Sequence, residues 1–199
     1  MHAHVRTMRS DGEAATYMAL VAQANEAYQL SQKGKLLEAE RLYRDLLSKK
    51  PGAGFDDVSV ALSQNEYGIV LRQLGKFDEA LAMLQTALVV CECHDQEAGV
   101  STTLSDSNIT RDEIAKVYEA MGDCEMAHQT REPGKRICGN GACQALQYKE
   151  QLHACTRCKC VFYCGKTCQR DDWKRHKAFC RPPRQAKPAA ITTESAMTP

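Results

Sequence analysis

Apolar residues recur along residues 14 to about 131 at three- and four-residue spacing, in an Ala-, Leu- and Glu-rich background. That period predicts amphipathic helices. The helical runs are interrupted by glycines, and three segments align on them: AQANEAYQLSQKGKLLEAERLYRDLLSKKP on Gly34, SQNEYGIVLRQLGKFDEALAMLQTALVV on Gly75, and RDEIAKVYEAMGDCEMAHQTREP on Gly122. Four residues before each glycine stands Leu30, Leu71 or Tyr118. Two residues after it stands Leu36, Phe77 or Cys124, and five after it Ala39, Ala80 or Ala127. A glycine that accepts the left-handed cap ends one helix, and a small alanine lets the next lie close against it. Each unit is therefore predicted to be a helical hairpin. Tyr43 and Leu84 are placed to fill the space between neighbouring hairpins, and Pro51 to stop the second helix of the first unit. The third unit breaks at Pro133 before its second helix is complete.

The remaining pattern is different. Residues 1–13 lack apolar periodicity and are expected to be disordered. From Arg181 the chain reads RPPRQAKPAAITTESAMTP, with four of the six prolines, and residues 181–199 are expected to be a disordered tail. Between them, residues 136–180 carry eight of the eleven cysteines. The organisation expected is a helical repeat domain over 14–134, a cysteine-rich module over 136–180, and two loose ends.

The repeat resembles the tetratricopeptide repeat, carried best by Gly68, Leu71, Gly75, Phe77, Ala80 and Ala87 of the second unit. The pivots are 41 and 47 residues apart, against a period of 34 for that family. The excess is expected in longer loops at Pro51–Asp57 and around Glu92–Ser107. A generic antiparallel helical bundle is the alternative architecture. The resemblance implies a concave peptide-binding or scaffolding surface. Members that clamp chaperone C-terminal tails require Lys and Asn where this chain has Ala24, Tyr28 and Glu66, so such a tail is not the expected ligand.

The cysteine module contains Cys138-x4-Cys143, Cys155-x2-Cys158, Cys164-x3-Cys168 and His176-x3-Cys180. Four ligand pairs suffice for two tetrahedral zinc ions, and a closed set of four thiolate or imidazole ligands is structural, not catalytic. Residues 166–179 have helical composition, which puts His176 and Cys180 on one helix face, with Cys164 and Cys168 at the helix start. The string Tyr163-Cys164-x3-Cys168-Gln169-x3-Trp173-x2-His176-x3-Cys180 resembles the MYND-type zinc finger. The resemblance implies a cross-brace: one Zn2+ on Cys138, Cys143, Cys164 and Cys168, the other on Cys155, Cys158, His176 and Cys180. It also implies a protein-binding module for proline-containing peptides, with Gln169 and Trp173 lining the groove. The four-residue spacer in the first pair departs from the commoner two. Cys160 is read as a spare thiol, His153 as a strand or loop residue, and Cys91-x-Cys93-His94 as a helix end whose two thiols face different ways. His2 and His4 lie in the loose start.

Charge sharpens this division. The formal net charge is +1, but residues 1–134 carry 13 Lys and Arg against 21 Asp and Glu, whereas residues 135–187 carry 13 against 3. Two zincs on seven thiolates lower the +10 of the second segment to about +7, still basic. The finger is therefore expected to dock on the acidic helical part and to cap its truncated third repeat. The basic residues Arg157, Lys159, Lys166, Lys174, Arg175 and Lys177 raise an alternative, a zinc-dependent nucleic-acid-associated or transcriptional regulatory protein. However, no DNA-reading recognition helix is evident, and nucleic acid is not the expected partner.

Certain lysine methyltransferases combine such fingers with helical repeats, but they need an intervening SET domain, and no segment is left for one here. No nucleophile–base pair or phosphate-binding loop is present either. The N-terminus lacks a secretory apolar core and no stretch is long and apolar enough for a membrane span, so the chain is expected in a reducing compartment, where clustered cysteines bind metal more often than they form disulfides. The sequence thus predicts a mainly α chain, an array of helical hairpins followed by a two-zinc finger. It is expected to act as an intracellular, cytoplasmic or nuclear adaptor that binds protein or peptide partners, is not an enzyme and has no membrane association.

Overall fold

A computed structural model describes residues 10–97, 106–132, 135–143 and 145–182. Six helices form three consecutive antiparallel hairpins: α1 (Asp11–Gln32) with α2 (Leu36–Lys49), α3 (Asp57–Gln73) with α4 (Phe77–Glu97), and α5 (Asp106–Met121) with α6 (Cys124–Thr130). Two short antiparallel ribbons follow, β1 (Arg136–Ile137) with β2 (Leu146–Gln147), and β3 (His153–Ala154) with β4 (Phe162–Tyr163). The last helix is α7 (Lys166–His176).

The hairpin corners have one chemistry. Gly34, Gly75 and Gly122 sit at φ 75°, 78° and 81°, which L side chains rarely adopt. After each glycine the next amide turns back to the residue four before that glycine. Lys35 donates to the Leu30 carbonyl at 3.0 Å, Lys76 to Leu71 at 2.9 Å, and Asp123 to Tyr118 at 2.8 Å. This Schellman-type closure satisfies carbonyls that a helix end leaves open. Ala39, Ala80 and Ala127 are all fully buried, so each second helix does approach its partner through a small side chain. Gly68 is a close contact between α3 and α4: a Cβ there would lie 2.5 Å from Leu84 Cγ.

Neighbouring hairpins share a core in which Tyr43 and Tyr67 stack at 6.0 Å and Leu46, Leu71 and Leu84 are fully buried. Ion pairs tie the hairpins in sequence, Lys76 to Glu40 at 2.6 Å and Arg72 to Glu113 at 3.1 Å. α5 is enclosed on more than one side and buries Asp112, Glu113 and Glu119 as well as Ile114 and Val117.

Several boundaries differ from expectation. α1 begins at Asp11, inside the segment expected to be loose, because Ser10 Oγ accepts the Glu13 amide at 3.2 Å and caps it. α4 runs through Glu97, so residues 92–97 are helix where a loop is expected. α7 ends at His176 and not Phe179. Residues 177–179 are turn, and the Phe179 amide donates to the His176 carbonyl three residues back. Residues 1–9, with His2 and His4, and tail residues 183–199 lie outside the described residues. Among the described residues no helix is long and apolar enough to cross a membrane.

The finger packs on the third hairpin. Ala115 of α5 and Cys124 and Ala127 of α6 share one buried cluster with Cys138, Cys158, Cys160, Val161 and Tyr163. This is the flank left open by the short α6, and the finger covers it.

Candidate metal centre

Two groups of four potential ligands assemble in residues 138–180, in the partition that the cross-brace implies: Cys138, Cys143, Cys164 and Cys168 in one, Cys155, Cys158, His176 and Cys180 in the other. In each, the four donor atoms lie within 4.8 Å of one another.

The first group is built by a turn and a helix start. The four-residue spacer closes on itself. Asn140 Oδ1 accepts the Ala142 amide at 3.1 Å and the Asn140 carbonyl accepts the Cys143 amide at 2.9 Å. The loop then returns through the Cys138 amide to the Ala145 carbonyl at 2.8 Å, which brings Cys143 Sγ to 3.6 Å from Cys164 Sγ. Gly139 is required by close approach, since a Cβ would meet Val161 Cγ1 at 2.5 Å. Cys138 is buried and Cys143 is exposed, so this centre faces solvent on one side.

The second group is wholly buried. Lys159, at φ 62°, reverses the chain after Cys158 and donates to the Cys155 carbonyl at 2.9 Å. Cys155 Sγ lies 3.8 Å from Cys180 Sγ, and Cys158 Sγ 3.4 Å from His176 Nε2. The Cys180 amide donates to the His176 carbonyl at 3.0 Å, so the pair stays in register although the helix has ended. The Cys160 thiol, and then His176, pull the Cys158 thiol down to about 3 against burial, while burial pushes Cys180 up to about 12. One set of four thiols, and one of three thiols with an imidazole, suit zinc in closed tetrahedral sites. Zinc binding at each would release the thiol protons to solvent. Bound there, zinc supplies a structural cross-link.

The residues between the ligands are positioned for orientation. Tyr163 is fully buried and its hydroxyl donates to Asp172 Oδ2 at 2.8 Å, while Arg175 Nε donates to Asp172 Oδ1 at 2.6 Å. Arg175 also reaches the Gly139 carbonyl at 3.2 Å, so one chain of bonds links β4, α7 and the first ligand loop. Trp173 contacts His176 edge-on at 5.9 Å and remains 43% exposed, with Gln169 one turn earlier on the same helix.

Other expected features separate clearly. Cys91 is buried and Cys93 exposed on α4, and neither joins a cluster among the described residues. His153 is an exposed residue of β3. Cys160, expected to be a packed or exposed spare thiol, is buried and sits in a group with Cys124 and Cys158. The sequence's charge division anticipates a charged junction beneath the finger but does not single out its residues. Arg131 is buried and donates to Asp112 Oδ1 at 2.8 Å, to Glu119, and to the Cys160 carbonyl at 3.0 Å. Arg136 is likewise buried, over the Phe162 ring at 4.2 Å and against Glu132 at 2.7 Å.

The comparisons with known proteins fall on the same segment. The MYND finger family matches residues 137–180. N-lysine methyltransferase SMYD2 of Homo sapiens is 46% identical over 44 residues, covering 22% of this chain and 10% of that protein. Egl nine homolog 1 of Homo sapiens is 46% identical over 39 residues, 20% of this chain and 9% of that protein. Histone-lysine N-methyltransferase Smyd1 of Mus musculus is 50% identical over 32 residues, 16% and 6% respectively. The matched segment thus spans a tenth or less of these relatives' own length. Residues 137–180 are a MYND finger, a zinc-binding protein-interaction domain with ligand sets for two zinc ions.

Proposed function

We propose that this chain is an adaptor without catalytic activity, acting inside the cell. Its finger recruits a protein partner, and its three hairpins, arranged as tetratricopeptide-like repeats, serve as scaffold. The observation that carries this reading is Trp173. Its ring meets His176 of the buried ligand set at 5.9 Å while the side chain stays 43% exposed, and Gln169 lies one turn away. A large, half-seated aromatic beside an amide suits an extended proline-containing peptide, which loses little entropy on binding. The eight ligand residues hold zinc in this reading as two structural ions.

The hairpins contribute a second surface. Ala24, Tyr28 and Glu66, the positions that differ from a chaperone-tail clamp, line one cleft of about 240 Å³ with Tyr43 and Lys50. Lys50 Nζ is already engaged by Ser59 Oγ at 3.0 Å and Ser63 Oγ at 2.8 Å. The cleft therefore supports a ligand other than a terminal carboxylate. The nucleic-acid alternative is weakened because Arg175 of the basic run is committed to Asp172 and Glu119.

Trp173 is the chain's single tryptophan, so its own emission reports binding. Titration with proline-containing peptides is expected to shift that emission and to tolerate salt. Pull-down by the same peptide is expected to be lost in Trp173→Ala and weakened in Gln169→Ala with two zincs retained. Binding unaffected by Trp173→Ala, or binding only to polyanions with a steep salt dependence, rejects the reading.

A further inference from the structure

Outside the two ligand sets, one more cluster of metal-binding atoms is assembled by the fold. The thiols of Cys124, Cys158 and Cys160 lie within 4.8 Å of one another, and all three residues are buried. They come from two parts of the molecule. Cys158 and Cys160 belong to the turn between β3 and β4, and Cys124 is the first residue of α6. The repeat pattern shows what is unusual about Cys124. The equivalent position is Leu36 in the first hairpin and Phe77 in the second, each packed against the helical core. In the third hairpin the neighbour is the finger, and the side chain there is a thiol facing thiols.

A buried free cysteine is commonly just a small apolar group. Three convergent thiols are a different case, because together they form a soft donor set with no carboxylate or imidazole in it. Soft thiolate donors select Cu(I), zinc and iron–sulfur clusters. Zinc in a structural site takes four ligands, and the described side chains offer this cluster no fourth. Outside the neighbouring zinc set, the Arg181 carbonyl lies 3.8 Å from Cys124 Sγ. Three thiolates alone satisfy a trigonal monovalent ion. Arg131 is hydrogen-bonded to the Cys160 carbonyl at 3.0 Å and fixes the finger's side of the cluster on the third hairpin.

We propose that Cys124, Cys158 and Cys160 form a third metal site, for Cu(I), joined through a bridging Cys158 thiolate to the Cys155–Cys158–His176–Cys180 centre. The bridge rests on the reading of Cys158 as a zinc ligand; the three-thiol site does not. On binding, the ion displaces the thiol protons of Cys124 and Cys160, which pass to solvent, forms two Cu–S bonds to them and a third to the zinc-held Cys158 thiolate, and undergoes no redox change. Because Cys124 belongs to the hairpins and Cys160 to the finger, the ion ties the two parts together, and occupancy sets how firmly the finger is held.

The test uses the full chain, purified with zinc and first assayed for it, then titrated anaerobically with chelator-buffered Cu(I). Bound metals are read by native mass spectrometry and released zinc by a colorimetric chelator. The expected product carries two zincs and one copper. Cys124→Ser is expected to keep both zincs and lose the copper, while Cys91→Ser, which alters a buried thiol outside the cluster, keeps all three ions. The proposal is overturned if the first copper expels a zinc one for one, or if Cys124→Ser takes up copper as the wild type does. The wild-type arm decides this even if the variant folds poorly. A chain with fewer than two zincs before copper is added overturns the zinc reading and the bridge, and the Cys124→Ser arm still decides the three-thiol site.

Discussion

The Arg175 guanidinium stands 3.6 Å from the Glu119 carboxylate, which joins the helix of the finger to α5 of the hairpins. Glu119 is 1% exposed and also accepts from Arg131. One buried carboxylate thus serves an arginine from each side of the junction. Removing one member of a buried ionic group leaves the others uncompensated, at about 3–5 kcal/mol. Glu119→Gln is therefore expected to lower the unfolding free energy by about that amount in urea titrations. A loss below about 1 kcal/mol, the range of an exposed pair, would show that the junction does not hold the two parts together.

Gly68 offers a test of the hairpin packing that separates two opposing effects. Replacing a mid-helix glycine by alanine ordinarily stabilises, by up to about 1 kcal/mol. Here the new methyl would meet Leu84 Cγ at 2.5 Å, in the fully buried seam between α3 and α4. Overpacking of a tight core costs about 1–3 kcal/mol. Gly68→Ala is expected to lower the melting temperature, and the double variant Gly68→Ala with Leu84→Val to recover part of the loss. A rise in the single variant would mean that the seam is looser than the structure has it.

Asp112 predicts a response to acid. Burial raises its carboxyl, but Lys116 and Arg131 outweigh burial and hold it at about 2, below the usual 3.8. A carboxyl whose folded value is depressed stabilises fully above its unfolded value and loses that contribution as pH falls through the folded one. The window is therefore about pH 4 down to about 2, and the contribution about 2 kcal/mol. The stability gap between wild type and Asp112→Asn should be constant from neutral pH to about pH 4 and then close toward about pH 2. Protons that displace zinc act on both proteins, and both partners of Asp112 lie in the hairpins, so the difference isolates this carboxyl. A gap that closes already near about pH 6 would contradict the assignment.

The parts legible in the sequence are those where local chemistry dictates local shape. Glycine at Gly34, Gly75 and Gly122 is demanded by positive φ. Alanine at Ala39, Ala80 and Ala127 is demanded by close helix contact. The ligand pairs are set by spacing alone, and a resemblance assigns them to two centres. The junction is another matter. Arg131 meets Glu119 and the Cys160 carbonyl 29 residues away in the chain, and nothing in a single sequence distinguishes that arginine from an exposed one. Cys160 reads as surplus for the same reason: its neighbour Cys124 is supplied by tertiary packing, not by spacing. Helix ends depart from the sequence pattern where a side chain or a metal-ligand turn competes with propensity, as Ser10 does at α1 and the His176–Cys180 turn at α7.

Metal removal should reach beyond the finger. The ribbons are two residues long each, and the ligand cysteines make up much of the finger's buried interior. Such a module depends on its ions for folding, because the binding free energy of structural zinc is folding free energy. The finger in turn covers Ala115, Cys124 and Ala127 and supplies the Cys160 carbonyl to Arg131. Stripping zinc should therefore unfold residues 136–180 and also lower the melting temperature of the hairpins, followed by far-UV circular dichroism at a helical wavelength. The truncated chain 1–134 should melt where the stripped full chain does, and readdition of zinc should restore only the latter. Coincidence of the stripped chain with the zinc-loaded one would mean that α5 and α6 stand without the finger, and that the opposite charges of the two parts meet at the junction without consequence for stability.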